Sequence, residues 1–62
     1  MTKAQALEVI YKALRRADDP EINDVTRDGD HKNAEIILTT EDGQGRKQVW
    51  LLPLNALREI GE

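Results

Sequence analysis

Glu35-Ile36-Ile37-Leu38-Thr39-Thr40-Glu41-Asp42-Gly43-Gln44-Gly45-Arg46-Lys47-Gln48-Val49-Trp50-Leu51-Leu52 is the stretch on which the fold turns. Its first six residues are rich in β-branched side chains and alternate, with Ile36 and Leu38 on one face and Ile37 and Thr39 on the other. Glu41 to Gly45 carries two glycines and has the length of a hairpin loop. Arg46 to Leu52 reads as the return strand, Val49 and Leu51 facing opposite to Trp50 and Leu52. Pro53 lacks an N–H and suits the first position of a helix, so it closes the strand and opens a short C-terminal helix. Leu54, Leu57 and Ile60 would form the apolar side of that helix before Gly61.

Upstream of the hairpin the pattern changes twice. Asp18-Asp19-Pro20-Glu21 and Asp28-Gly29-Asp30 are turn-forming, and Ile22 and Val25 between them suit a short strand or extended segment. Before Asp18 the apolar residues Leu7, Ile10, Tyr11, Leu14 and Ala17 recur at three- and four-residue steps, the period of a helix with one buried face. Thr2 and Gln5 form a capping-box pair, Glu8 and Lys12 are spaced for an ion pair, and Arg15 and Arg16 suit the negative end of the helix dipole. The expected architecture is α+β: one domain over 1–62, an N-terminal helix, a β-hairpin extended to three antiparallel strands if 22–28 joins it, and a short C-terminal helix, in two layers.

Length and composition narrow the function classes. A chain of 62 residues is a single small domain whose core is marginal, and it has no cysteine for disulfides or thiolate zinc sites. It also lacks serine, so hydroxyl nucleophiles reduce to four threonines, with His31 the one side chain that titrates near neutrality. So few residues hardly line a desolvated pocket of about 300 Å³, and catalysis is not expected, nor is a cofactor. The longest apolar run, Val49 to Leu54, is far below the ~20 residues of a membrane span, and Met1 to Gln5 shows no signal-peptide pattern. A cytoplasmic protein with no membrane partner is expected.

Charge is unevenly distributed within a formal net of −3. Nine carboxylates against Arg27 and Lys32 make residues 18–42 strongly acidic, while the first 17 residues carry Lys3, Lys12, Arg15 and Arg16 against Glu8 alone. Asp24, Asp28, Asp30, Glu41 and Asp42 are therefore candidate partner-binding residues, because such a field steers association with a basic surface. A nucleic-acid-binding enzyme has such a surface, for which an acidic decoy is physically reasonable. Ile37, Trp50 and Leu52 are the candidate apolar contacts. If helices cover one face of the hairpin, some of these remain on the other, to meet a partner or a second copy. Lys3, Lys12, Arg15 and Arg16 are the candidate phosphate contacts of the rival reading, a nucleic-acid-binding domain.

Two local resemblances carry chemistry. Asp24-Val25-Thr26-Arg27-Asp28-Gly29 followed by Glu35 resembles the calcium loop of an EF-hand, with oxygen ligands at the first, third and fifth places, glycine sixth and a carboxylate twelfth. The resemblance implies calcium binding across 24–35. Pro20 before it and the β-prone Ile36-Ile37-Leu38 after it depart from the helices that the family needs, and Lys32 adds positive charge, so no metal is assigned. Gly29-Asp30-His31 and Gly43-Gln44-Gly45-Arg46-Lys47 resemble the loop motifs of the double-stranded RNA-binding domain, which implies a helix, three strands, a helix and contacts to RNA. Here the motifs stand close together for three full strands, Pro53 interrupts the long basic helix, and the charge is negative. The expected function is a small non-catalytic protein–protein interaction module, a regulatory or inhibitory accessory of bacterial or viral origin. A homodimer is its simplest self-arrangement.

Overall fold

A computed structural model describes residues 1–30 and 32–61; His31 lies outside them. Helix α1 runs Lys3–Arg16, followed by strands β1 (Ile22–Asp28), β2 (Glu35–Glu41) and β3 (Lys47–Pro53) and a single 3₁₀ turn at Leu54–Ala56. The strands form one antiparallel sheet in the order β1-β2-β3. This is the expected α+β arrangement, with two differences. The segment 22–28 is a full seven-residue strand. The C-terminal helix is reduced to the 3₁₀ turn: Leu54 and Leu57 pack against the core as the apolar side expected of it, whereas Ile60 is 87% exposed. With Ile60 unburied, no contact beyond Leu57 offsets the cost of nucleating a longer helix. Three full seven-residue strands fit within the close spacing of the Gly29 and Gly43 turns.

Local chemistry explains the element ends. The Thr2 hydroxyl accepts from the Gln5 amide at 3.1 Å, and the Gln5 side chain accepts from the Thr2 amide at 2.8 Å, completing the capping box. Glu8 makes its ion pair with Arg27 on β1 at 3.2 Å, tying helix to sheet, where the sequence had paired it with Lys12. At the hairpin, the Asp42 amide donates to the Arg46 carbonyl and Gly45 donates back to Asp42, leaving Gly43-Gln44-Gly45 as a three-residue loop. Gly45 takes the left-handed conformation (φ +81°) that closes such loops.

Strand β1 contains the one irregularity of the sheet. Ile22 pairs with Thr40, yet Asp24 pairs with Thr39, so Asn23 is an extra residue. Ile22 and Val25 are three positions apart and would face opposite sides of a regular strand. The bulge changes that parity, and both pack in the core.

The core is small: Leu7 of α1, Val25 of β1, Ala34 and Ile36 are buried, with Ile10, Tyr11, Leu14, Leu38 and Leu52 packed around them. Helix α1 lies over β1 and β2. Register then assigns every strand residue to a side, since directly paired residues share a face. Ile36 pairs with Leu52 and Leu38 with Trp50, so Trp50 and Leu52 lie on the helix side. Ile37 pairs with Leu51 and Thr39 with Val49, and these four lie on the other side. The grouping of Trp50 and Leu52 with Ile37 on an uncovered face is thereby corrected. Sequence alternation orders each strand internally but leaves the relative phase of the two strands to the turn.

Candidate functional site

The uncovered side of the sheet is the candidate site. Ile37, Val49 and Leu51 form its apolar part, Val49 and Leu51 being 69% and 60% exposed. By the same register it includes Asp24, Thr26 and Asp28 from β1 and Glu35, Thr39 and Glu41 from β2, with Lys47 opposite Glu41. The face is graded: carboxylates toward β1, aliphatic side chains toward β3. Val49 and Leu51 are not among the site residues that the sequence singles out, and the pairing of β2 with β3 is what brings them to Ile37.

The five acidic candidates do not form one surface. Asp24, Asp28 and Glu41 share the open face, whereas Asp30 lies in the β1–β2 turn and Asp42 in the β2–β3 turn. Consecutive hairpin turns lie at opposite ends of a sheet, so a seven-residue strand separates Asp30 from Asp42, roughly 20 Å at ~3.3 Å per residue. Both are engaged in building their turns. Asp30 Oδ1 accepts from the amides of Lys32 and Asn33 at 2.9 and 3.0 Å, and Asp42 Oδ1 from those of Gln44 and Arg46, both at 2.9 Å. Asp24 and Asp28 each accept from the next amide, and Glu41 Oε1 accepts from the Asn23 amide group at 3.1 Å.

Of the apolar candidates, Ile37 alone is on the open face. Leu52 belongs to the core. Trp50 is on the helix side but beyond the helix, 52% exposed, and its indole N–H donates to the Thr40 hydroxyl at 3.0 Å.

The basic candidates are dispersed along α1. Lys3 stands nine residues before Lys12, about 14 Å along the helix axis. Arg15 is held over Tyr11, with Nη1 donating to the phenol oxygen at 3.1 Å and its guanidinium 5.7 Å from the ring centroid. Lys12 and Arg16 remain as one i, i+4 pair.

The calcium-loop pattern is distributed over two paired strands instead of a loop. Asp28 is directly opposite Glu35, and Asp24 is four residues further along β1, about 13 Å away. Ligands so spread do not converge on one ion, which needs oxygens within about 2.6 Å. Among the described residues, no group of three His, Cys, Asp or Glu side chains is placed to hold a metal. Surface depressions at Leu14–Ile22–Val25 and at Met1–Ala6–Leu57 have volumes of about 220 and 230 Å³. No helix is long and apolar enough to cross a membrane among the described residues. No family model, curated protein or solved structure matches the chain.

Proposed function

We propose that this chain is a non-catalytic, cytoplasmic protein-interaction module that docks a partner protein on the open face of its sheet. A single observation carries the reading: α1 covers one side of the sheet, and the other side presents exposed Val49 and Leu51 and half-buried Ile37 beside Asp24, Asp28, Glu35 and Glu41. A complementary surface presents aliphatic groups rimmed by lysine or arginine. The aliphatic part holds the complex, because desolvated apolar contacts dominate dissociation, and the carboxylates set the rate of encounter. As a regulatory accessory, such a module acts by occupying a basic surface on its target.

The test captures partners of the full chain from its source cell and compares variants. Ile37→Lys is expected to lose the partner through faster dissociation. The Asp24→Asn/Asp28→Asn pair is expected to slow association, with the wild-type rate falling as the Debye length shortens to about 8 Å. Lys12→Glu/Arg16→Glu is expected to keep the partner. Retention by Ile37→Lys together with an unchanged rate in the Asn pair would overturn the proposal. Binding of a random duplex that vanished in Lys12→Glu/Arg16→Glu would favour nucleic acid instead.

A further inference from the structure

The two edges of the sheet are built differently. Edge strand β1 carries the bulge at Asn23, charged residues at Asp24, Arg27 and Asp28, and a carboxylate that takes its own edge amide: Val25 donates to Asp24 Oδ1 at 3.0 Å. These are the devices that stop a strand edge from recruiting another strand. Edge strand β3 has no bulge and no carboxylate on its own amides, and its single charge, Lys47, and its proline, Pro53, stand at its two ends. It pairs without irregularity along Lys47–Pro53, and Val49-Trp50-Leu51 is an exposed apolar run.

Which backbone groups of β3 face outward follows from two hydrogen bonds that bracket it. Asp42 donates to the Arg46 carbonyl at one end, and Leu54 donates to the Ala34 carbonyl at the other. Backbone direction alternates along a strand, so Gln48, Trp50 and Leu52 turn toward β2 while Lys47, Val49, Leu51 and Pro53 turn outward. Pro53, with no N–H to offer, falls on the outward set, the position a sheet tolerates. The amides of Val49 and Leu51 have no protein partner among the described residues.

We propose that a second copy of this chain pairs with this edge, β3 against β3, across a two-fold axis at Trp50. Only that axis overlaps the whole of a strand centred on residue 50 with itself. Val49 then exchanges both backbone bonds with the second copy's Leu51, and Lys47 donates to its Pro53, for about six bonds in all. Trp50 meets Trp50 at the closely spaced, non-hydrogen-bonded position, about 4.5 Å between Cα atoms, where a cross-strand aromatic pair packs best. Charge agrees: Lys47, the one charged residue of β3, faces an uncharged proline and not its own copy. The second copy's Glu35, paired with that proline, lies two strands away at about 10 Å between Cα atoms, within reach of both side chains. The product is a six-stranded sheet with both helices on one side and two open faces joined on the other. One strand per protomer buries less than the ~800 Å² a side of a standard interface, so the dimer forms in the micromolar range or above.

Sedimentation equilibrium of the full chain from about 10 to 500 μM tests it, a range suited to such a weak interface. A monomer–dimer equilibrium is expected for the wild type. Val49→Pro removes an outward amide and leaves the ladder to β2 intact, and it is expected to be a folded monomer. If that variant does not fold, Leu51→Lys replaces it with the same expectation. Ile37→Lys, on the open face and away from the edge, is expected to dimerise normally, so failure of the docking proposal above leaves this one standing. Register is read by Trp50→Cys in a glutathione redox buffer. It is expected to resist reduction more than Gln48→Cys, since only position 50 comes within the 4.4–6.8 Å that a disulfide spans. A wild type monomeric at 500 μM, a folded Val49→Pro that still dimerises, or loss of the dimer in Ile37→Lys would each overturn the edge pairing. Equal stability of the two disulfides would overturn its register.

Discussion

Gly29 and Asp42 show how single residues hold the two turns. Gly29 has φ +86°, and a Cβ there would stand 2.3 Å from the Asn33 carbonyl oxygen. Gly29→Ala must therefore bear the left-handed penalty of about 1–2 kcal/mol and displace backbone as well. Gly43 has open space around the same position, so Gly43→Ala is expected to leave stability within about 0.5 kcal/mol of wild type. Chemical denaturation of both variants checks the contrast, and equal midpoints would refute it. Asp42 takes two backbone amides on one oxygen. Asp42→Ala is expected to cost about 1–2 kcal/mol, by analogy with a lost helix cap, and Asp42→Asn clearly less because it keeps an acceptor. Similar losses in the two variants would mean that charge on this residue, not its acceptor geometry, supports the turn.

At the scale of elements, strand pairing decides what the acidic segment is. Asp24, Thr26 and Asp28 extend along β1, and Glu35 sits across from Asp28, so the twelve-residue pattern is a hairpin with its oxygens aligned in rows. Millimolar calcium is expected to produce no saturable heat and no change in melting temperature. A micromolar calorimetric signal abolished by Glu35→Gln would show that β1 and β2 separate to form a loop. The pattern misleads because Asp and Gly serve turns and calcium loops for the same reasons, oxygen acceptors and permissive dihedrals. Flanking Pro20 and Ile36-Ile37-Leu38 are the local signal that distinguishes the two.

For the molecule as a whole, one helix residue is decisive. Leu7 is fully buried and is the sole such residue of α1, in a core of four among the described residues. Leu7→Ala is expected to cost about 3–5 kcal/mol, against a total of roughly 3–9 kcal/mol for a chain of this size. The variant is expected to lose its cooperative melt by circular dichroism at room temperature. A melt within 10 °C of wild type would mean that the sheet is stable without the helix. The same economy leaves the open face uncovered: with the C-terminal helix reduced to one turn, α1 is the only full helix among the described residues for a two-sided sheet.

What is local in the chemistry was legible from the amino-acid order. The α1 period and its Thr2–Gln5 box, the strand alternation at Ile36–Thr39, the glycine-bearing loop and Pro53 as a strand end all arise within a few residues, and each appears in the structure. What depends on a second segment was not legible. The side that Trp50 and Leu52 share with Ile36 and Leu38 is set by the register that the Asp42 turn imposes. The joint burial of Ile22 and Val25 needs the bulge at Asn23, and the separation of Asp30 from Asp42 needs β2 between them. Alternation is a property of one strand, whereas phase is a property of two, and a one-residue slip exchanges every inside for an outside. That is why the sequence could name an apolar face, and only the folded sheet could decide that its members are Ile37, Val49 and Leu51.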